Sequence, residues 1–341
     1  MRKAHEVRSR AALPAAVALA ALALLASCAR APAGPLAYVT NERDGTITVI
    51  DTRTDKVVDT IRVGGRARGI RLSPDGRRAY VALSTPQGQV IRDEDNRVAA
   101  VDLSTRRVVA AYAVGSDPEQ LALSADGRRL YASNEDAGTA SVVDTETGRT
   151  VATLVVGTEP EGVTASPEGR WVYVTSETGN SVAVIDAASN TVAASFMVDS
   201  RPRDAAFSPD GSRAYVSTEI GRTLAVVDTS SHTVMHTIRL PRGENVKPMG
   251  VAVSRDGARV YVATGRGNSV EVFDAATYEH LAHVAVGERV WGLALTPDGR
   301  KLYTANGVSN DVSVIDTATN TVVATVKAGD GPWGIAVSVE R

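Results

Sequence analysis

The stretch SPDGRRAYV, Ser73 to Val81, returns as SADGRRLYA from Ser124, SPEGRWVYV from Ser166, SPDGSRAYV from Ser208, SRDGARVYV from Ser254 and TPDGRKLYT from Thr296. Proline presets a negative φ and glycine accepts a positive one, so Pro-Asp-Gly between two apolar runs reads as a hairpin turn. Ala125 and Arg255 replace the proline in two copies, weakening that turn without abolishing it. A seventh copy is divided: GIAVS reaches the serine position at Ser338, and LAYVTN from Leu36 supplies the tyrosine half.

The tyrosines Tyr38, Tyr80, Tyr131, Tyr173, Tyr215, Tyr261 and Tyr303 are spaced by 42, 51, 42, 42, 46 and 42 residues. A second column, Asp51, Asp102, Asp144, Asp186, Asp228, Asp274 and Asp316, is spaced by 51, 42, 42, 42, 46 and 42 residues, the same period with the long interval one unit earlier because the insertion lies between Tyr80 and Asp102. Within a unit, short runs of alternating apolar residues imply four strands. A period of this length with four strands fits a β-propeller blade, whereas helical repeats lack the alternation and β-helix coils are shorter. The expected fold is therefore all-β, a seven-bladed β-propeller over residues 36–341. An open ring would expose unpaired sheet edges, so WGIAVS should supply the inner strand of the blade that begins at AYVTN.

YVTN at Tyr38 to Asn41, with the VIDT, SPDG and GIAVS columns, resembles the YVTN-family β-propeller repeats over the whole chain after the first 35 residues. The run from VWGLALTPDGRKLYTANGVSNDVSVIDTATNTVVATV to GPWGIAV is most similar to the β-propeller proteins associated with PQQ-dependent alcohol catabolism. That resemblance implies an exported protein working beside a quinoprotein dehydrogenase and a transport system, with PQQ association possible and no established reaction of its own. The nine-residue insertion in the second unit departs from the pattern.

MRKAHEVRSR and the uncharged run Ala11 to Ala26 read as a signal peptide, too short to span a bilayer. Leu25-Ala26-Ser27-Cys28 resembles a bacterial lipoprotein box, so residues 1–27 are expected to be removed, Cys28 to be lipidated, and residues 28–35 to form a tether. The expected location is periplasmic or cell-surface, with membrane contact through the lipid. Cys28 is the only cysteine, so no internal disulfide is available. Without the signal the chain has 33 basic and 38 acidic residues, a balance that argues against nucleic acid as partner.

Motifs for metalloproteases, haem attachment, serine hydrolases and phosphate loops are absent. His232, His236, His280 and His283 fall on turns or outer strands, with His232 and His236 able to share a strand face. The aligned aspartates read as turn residues that bond their own backbone. The insertion Ser84 to Arg97, with Asp93, Glu94 and Asp95, lacks the glycine and terminal glutamate of a calcium loop and reads as a solvated, partner-facing loop.

The linkers ahead of the inner strands carry the sharpest signal: RARGI, DPEQL, EPEGV, RPRDA, KPMGV, RVWGL and GPWGI. Inner strands converge on the propeller axis, so Arg68, Glu119, Glu161, Arg203, Met249, Trp291 and Trp333 should ring the channel mouth. Arg66, Asp117, Glu159, Arg201, Lys247 and Arg289 stand two residues earlier. Glycine follows the ring position in five units, where backbones crowd; Gln120 and Asp204 put polar groups there instead. Interblade ion pairs such as Arg203 with Glu161, with tryptophans packed between blades, would account for part of the ring. The rest reads as a binding mouth, in which Trp291 and Trp333 beside Arg203, Arg289 and Lys247 receive a small organic ligand, PQQ or an oxidised alcohol product among them. A lactonase-like enzyme using Glu161, Asp204 and Arg203, and a structural or adhesive surface protein, are the alternatives.

Overall fold

A computed structural model describes residues 34–339 except 87, 91, 242 and 244; the signal peptide, Cys28 and most of the tether lie outside the described residues. These residues form seven four-stranded antiparallel sheets and one short 3-10 helix, Asp93–Asp95, in the insertion. The protein is a seven-bladed β-propeller.

The two middle strands of each blade are sandwiched between neighbouring blades, and they are the ones written almost wholly in Val, Ala, Ile and Tyr, as in RAYVALS at Arg78–Ser84. Outer strands, such as Thr321–Lys327, face solvent on most positions. The tyrosine column is buried throughout, and several of its hydroxyls reach across to the next blade. Tyr215 donates to the carbonyl of Ala275 at 3.4 Å, and Tyr173 pairs with His232 Nδ1 at 2.7 Å.

Both turn expectations hold. In the first hairpin Ser73 Oγ donates to Asp75 at 2.5 Å and Gly76 has φ +64°. In the aspartate column, Asp102 Oδ1 accepts the amides of Ser104 and Thr105 at 2.9 and 2.8 Å. With the Ser104 hydroxyl, these bonds hold the Asp102 carboxyl down at about 2.

Closure follows the divided repeat. Pro332–Val337 is the inner strand beside Leu36–Asn41, with Tyr38 opposite Ala336 and Val39 opposite Ile335. Leu36 N–H donates to Ser338 Oγ at 2.9 Å, and Ser338 N–H to the Leu36 carbonyl at 2.8 Å. Because inner strands run away from the mouth and the next strands return to it, Leu36 lies at the hairpin face and Asn41 at the mouth.

One histidine expectation is corrected. His232 has φ +54° in a turn and turns to Trp171 and Tyr173 of the blade before, whereas His236 stacks on Tyr278 of the blade after, ring centroids 4.6 Å apart. The turn geometry separates the two rings, so they share no face.

Candidate functional site at the channel mouth

A repeated backbone bracket positions the mouth. Asp117, Glu159, Arg201 and Arg289, two residues before the ring, all have left-handed backbones with φ between +48° and +64°, where the last unit has Gly331. A side chain held there costs on the order of 1–2 kcal/mol. The bracket is locked on both sides: the amides of Arg201 and Arg289 each donate to an asparagine, Asn180 and Asn268, at 2.8 Å. Their carbonyls accept the amides of Glu219 and Gly307 at 2.7 and 2.9 Å.

The ring itself is packed backbone to backbone. A Cβ on Gly69 would lie 2.6 Å from the carbonyl oxygen of Glu119, and one on Gly162 equally close to that of Arg203. Hydroxyls complete the seam: Thr40 donates to the Arg68 carbonyl and Ser133 to the Glu161 carbonyl, each at 2.5 Å. The ring backbone is thus packed as closely as a protein core.

A cavity of about 480 Å³ opens at this ring, lined by seven arginines and six glutamates. Arg203 Nη2 lies 2.9 Å from Glu161 Oε1, as expected, while Nη1 pairs with Glu177. Arg201 bridges Glu177 and Glu219. Arg68 pairs with Glu119 and, at 3.1 Å, with Glu42, which Arg66 also holds at 2.6 Å. Burial pushes the Glu177 carboxyl up to about 7; Arg203 opposes the shift and neighbouring Glu161 adds to it. Burial likewise raises the Glu135 carboxyl against the pull of Arg68. Glu135, Glu161 and Glu177 bring one oxygen each within 4.8 Å of one another, a spacing that suits a cation, but Arg203 already sits among them.

Trp291 and Trp333 stack on each other with centroids 5.9 Å apart and planes 26° from parallel. Arg289 lies over the Trp291 ring at 4.6 Å and Arg203 at 5.7 Å. Both indoles line the cavity, half-buried Trp291 as the more exposed and Trp333, 6 % exposed, packed behind it. The Trp291 indole fits because Gly307 lies beneath it: a Cβ there would come within 2.6 Å of Trp291 Nε1.

A second cavity of about 30 Å³, room for a water or two, continues inward past Glu161, Arg203, Trp291 and Trp333 to Gln120 and Asp204. Gln120 Oε1 and Asp204 Oδ1 have no hydrogen-bond partner among the described residues. Burial raises the Asp204 carboxyl and lowers the Arg71 guanidinium further along the channel, each favouring the other's charge.

Of the expected site residues, Arg68, Glu119, Glu161, Arg203, Asp204, Arg289, Trp291 and Trp333 come together, whereas Lys247 lines neither cavity. Its linker belongs to the 46-residue unit, and its amide bonds the Thr264 carbonyl at 2.9 Å instead of an asparagine, so the bracket is not repeated there. Sequence reasoning missed Glu42, Glu135, Glu177 and Glu219, although all four stand four residues after a column tyrosine. Arg43 and Arg266 stand five after, and were missed too.

Residues 192–339 match the family described as "Lactonase, 7-bladed beta-propeller", and residues 36–200 the "Choice-of-anchor I domain". The uncharacterized protein YncE of Salmonella typhimurium is 28% identical over 107 residues, 31% of this chain; the match spans only 28% of that protein's length. A putative 6-phosphogluconolactonase from Bacteroides fragilis superposes with a TM-score of 0.75 at 17% identity, covering 90% of this chain and 98% of that one. The hydrazine synthase of Kuenenia stuttgartiensis gives 0.71 at 23% identity, covering 82% and 95%. At these identities the solved structures speak for the fold alone. Fold and matches together make the chain a seven-bladed β-propeller, similar to these proteins in shape and, over parts of its length, to these family models and YncE in sequence.

Proposed function

We propose that the chain is an exported, lipid-tethered binding propeller that serves PQQ-dependent alcohol catabolism and its transport system, holding a small organic ligand at the mouth without converting it. The observation that carries this reading is the mouth: about 480 Å³, within the usual size of a small-molecule site, with charged side chains carried on a packed backbone and two stacked indoles in its lining. No histidine lines it, and Glu119, Glu161 and Glu177 are each engaged by arginine, which favours holding over proton transfer. The chain enters the propeller at Leu36, on the hairpin face. Calorimetric titration with PQQ and with small carboxylates tests the reading; saturable binding is expected, and a folded protein that binds none of them would end it.

One observation favours a second reading, lactone hydrolysis. A Glu177 carboxyl near 7 is suited to exchange protons at neutral pH, and residues 192–339 match the lactonase family. Turnover of gluconolactone or 6-phosphogluconolactone that is lost in Glu177→Gln would select this reading. Binding without turnover would select the first.

A further inference from the structure

Five of the seven mouth arginines are engaged by carboxylates: Arg43 by Asp330, Arg66 by Glu42, and Arg68, Arg201 and Arg203 by the glutamates described above. The guanidiniums of Arg266 and Arg289 make no ion pair and no hydrogen bond among the described residues. Both line the cavity, where the Gly307 amide donates to the Arg289 carbonyl. Arg289 is half-buried, its backbone is fixed by Asn268 and Gly307, and its guanidinium lies on the Trp291 ring. The Val290 amide donates to the Gly265 carbonyl at 3.2 Å, which sets the chain at Arg266 beside the chain at Arg289; burial, with Arg266 adding to it and Glu219 and Glu42 opposing, lowers the Arg289 guanidinium from its ordinary value.

We propose that Arg266 and Arg289 are the anion seat of the mouth, and that the ligand is an organic acid whose carboxylate or phosphate lies between the two guanidiniums. This deepens the binding reading and rests on it. Neither cation has a carboxylate in ion-pair contact among the described residues, so both keep their donors for an arriving anion, and the planar guanidinium fork matches two oxygens of an oxyanion at once. The indole supports Arg289 in a fixed plane, so little side-chain freedom is lost on binding. Lys247 is absent from the cavity, so the seat depends on these two side chains.

The test is calorimetry on the folded full chain with gluconate, inorganic phosphate and, as the uncharged control, glucose, repeated for Arg266→Gln and Arg289→Gln. Gluconate should bind, phosphate should compete with it, glucose should not bind, and each substitution should weaken gluconate about tenfold or more. The variants' melting curves should match wild type. Glucose binding as tightly as gluconate, or variants that bind gluconate as wild type does, would overturn the anion seat while leaving a ligand-binding mouth. No binding of any probe by folded wild type would remove both.

Discussion

Arg203 of the fifth blade donates to Glu161 of the fourth at 2.9 Å, and the same guanidinium meets Glu177, so one cation neutralises two buried carboxylates from the neighbouring blade. The side chains of Arg203, Glu161 and Glu177 are 10, 6 and 3 % exposed, so water screens this pairing poorly. Removing the cation strands Glu161 and leaves Glu177 to Arg201 alone. Arg203→Met is expected to destabilise the propeller by about 3–5 kcal/mol, measured by denaturant unfolding; a loss below the scatter of the fit would show that the carboxylates are neutralised by other means.

The pH dependence has a definite sign. Glu177 titrates near 7 when folded, above the value of about 4.3 for an unfolded glutamate, so the folded state holds its proton more tightly. That contribution is complete below the unfolded value and is lost as pH rises through about 7. The stability of wild type relative to Glu177→Gln should therefore fall between roughly pH 4.5 and 7 and level off above. A difference that is constant across this window, in melting curves taken at matched ionic strength, would contradict the assignment.

Closure predicts a disproportionate effect of a small deletion. Removing Trp333 to Arg341 takes away nearly all of the strand that pairs with Leu36–Asn41, and it uncovers Gly292, which packs on the Trp333 carbonyl. Such a chain should lose cooperative unfolding or aggregate through the exposed edge. Melting and sedimentation like those of the full chain would mean that the ring is held by something other than this strand.

The sixth blade carries a polar exception. Glu271 is fully buried, and its two oxygens meet His280 Nε2 at 2.7 Å and His283 Nδ1 at 2.6 Å, where other blades have threonine, serine or alanine at the glutamate position. The bulge in the outer strand brings both histidines onto the Glu271 face. His283→Ala should cost about 1.5–3 kcal/mol by removing a hydrogen bond to a buried carboxylate, whose oxygen keeps only the Ser269 hydroxyl at 3.0 Å, and the double variant with Glu271→Ala should recover part of it. A double variant as unstable as the sum of the singles would show that the contact carries no coupling.

Much of this was legible because repeats make columns. Tyrosine and aspartate spacings set seven blades, and the linkers ahead of the inner strands pointed to Arg203, Glu161 and Trp291 as mouth residues. The same column logic, extended four and five residues past each tyrosine, would have found Glu177 and Arg266. Two features had no such signal. Lys247 was misplaced because a longer linker breaks the local register, and the burial of Trp333 under Trp291 depends on packing between blades that no spacing encodes.

The central claim is that the mouth binds a small organic ligand, and intrinsic fluorescence tests it most directly. Of the three tryptophans, Trp171 lies away from the mouth, against Arg170 and His232, so Trp171→Phe leaves Trp291 and Trp333 as the only emitters. Titrating that variant with PQQ and with gluconate should give a saturable change in emission, reduced in the Arg289→Gln background. A folded Trp171→Phe protein whose emission is unchanged by either ligand, with no heat of binding by calorimetry, would contradict the account.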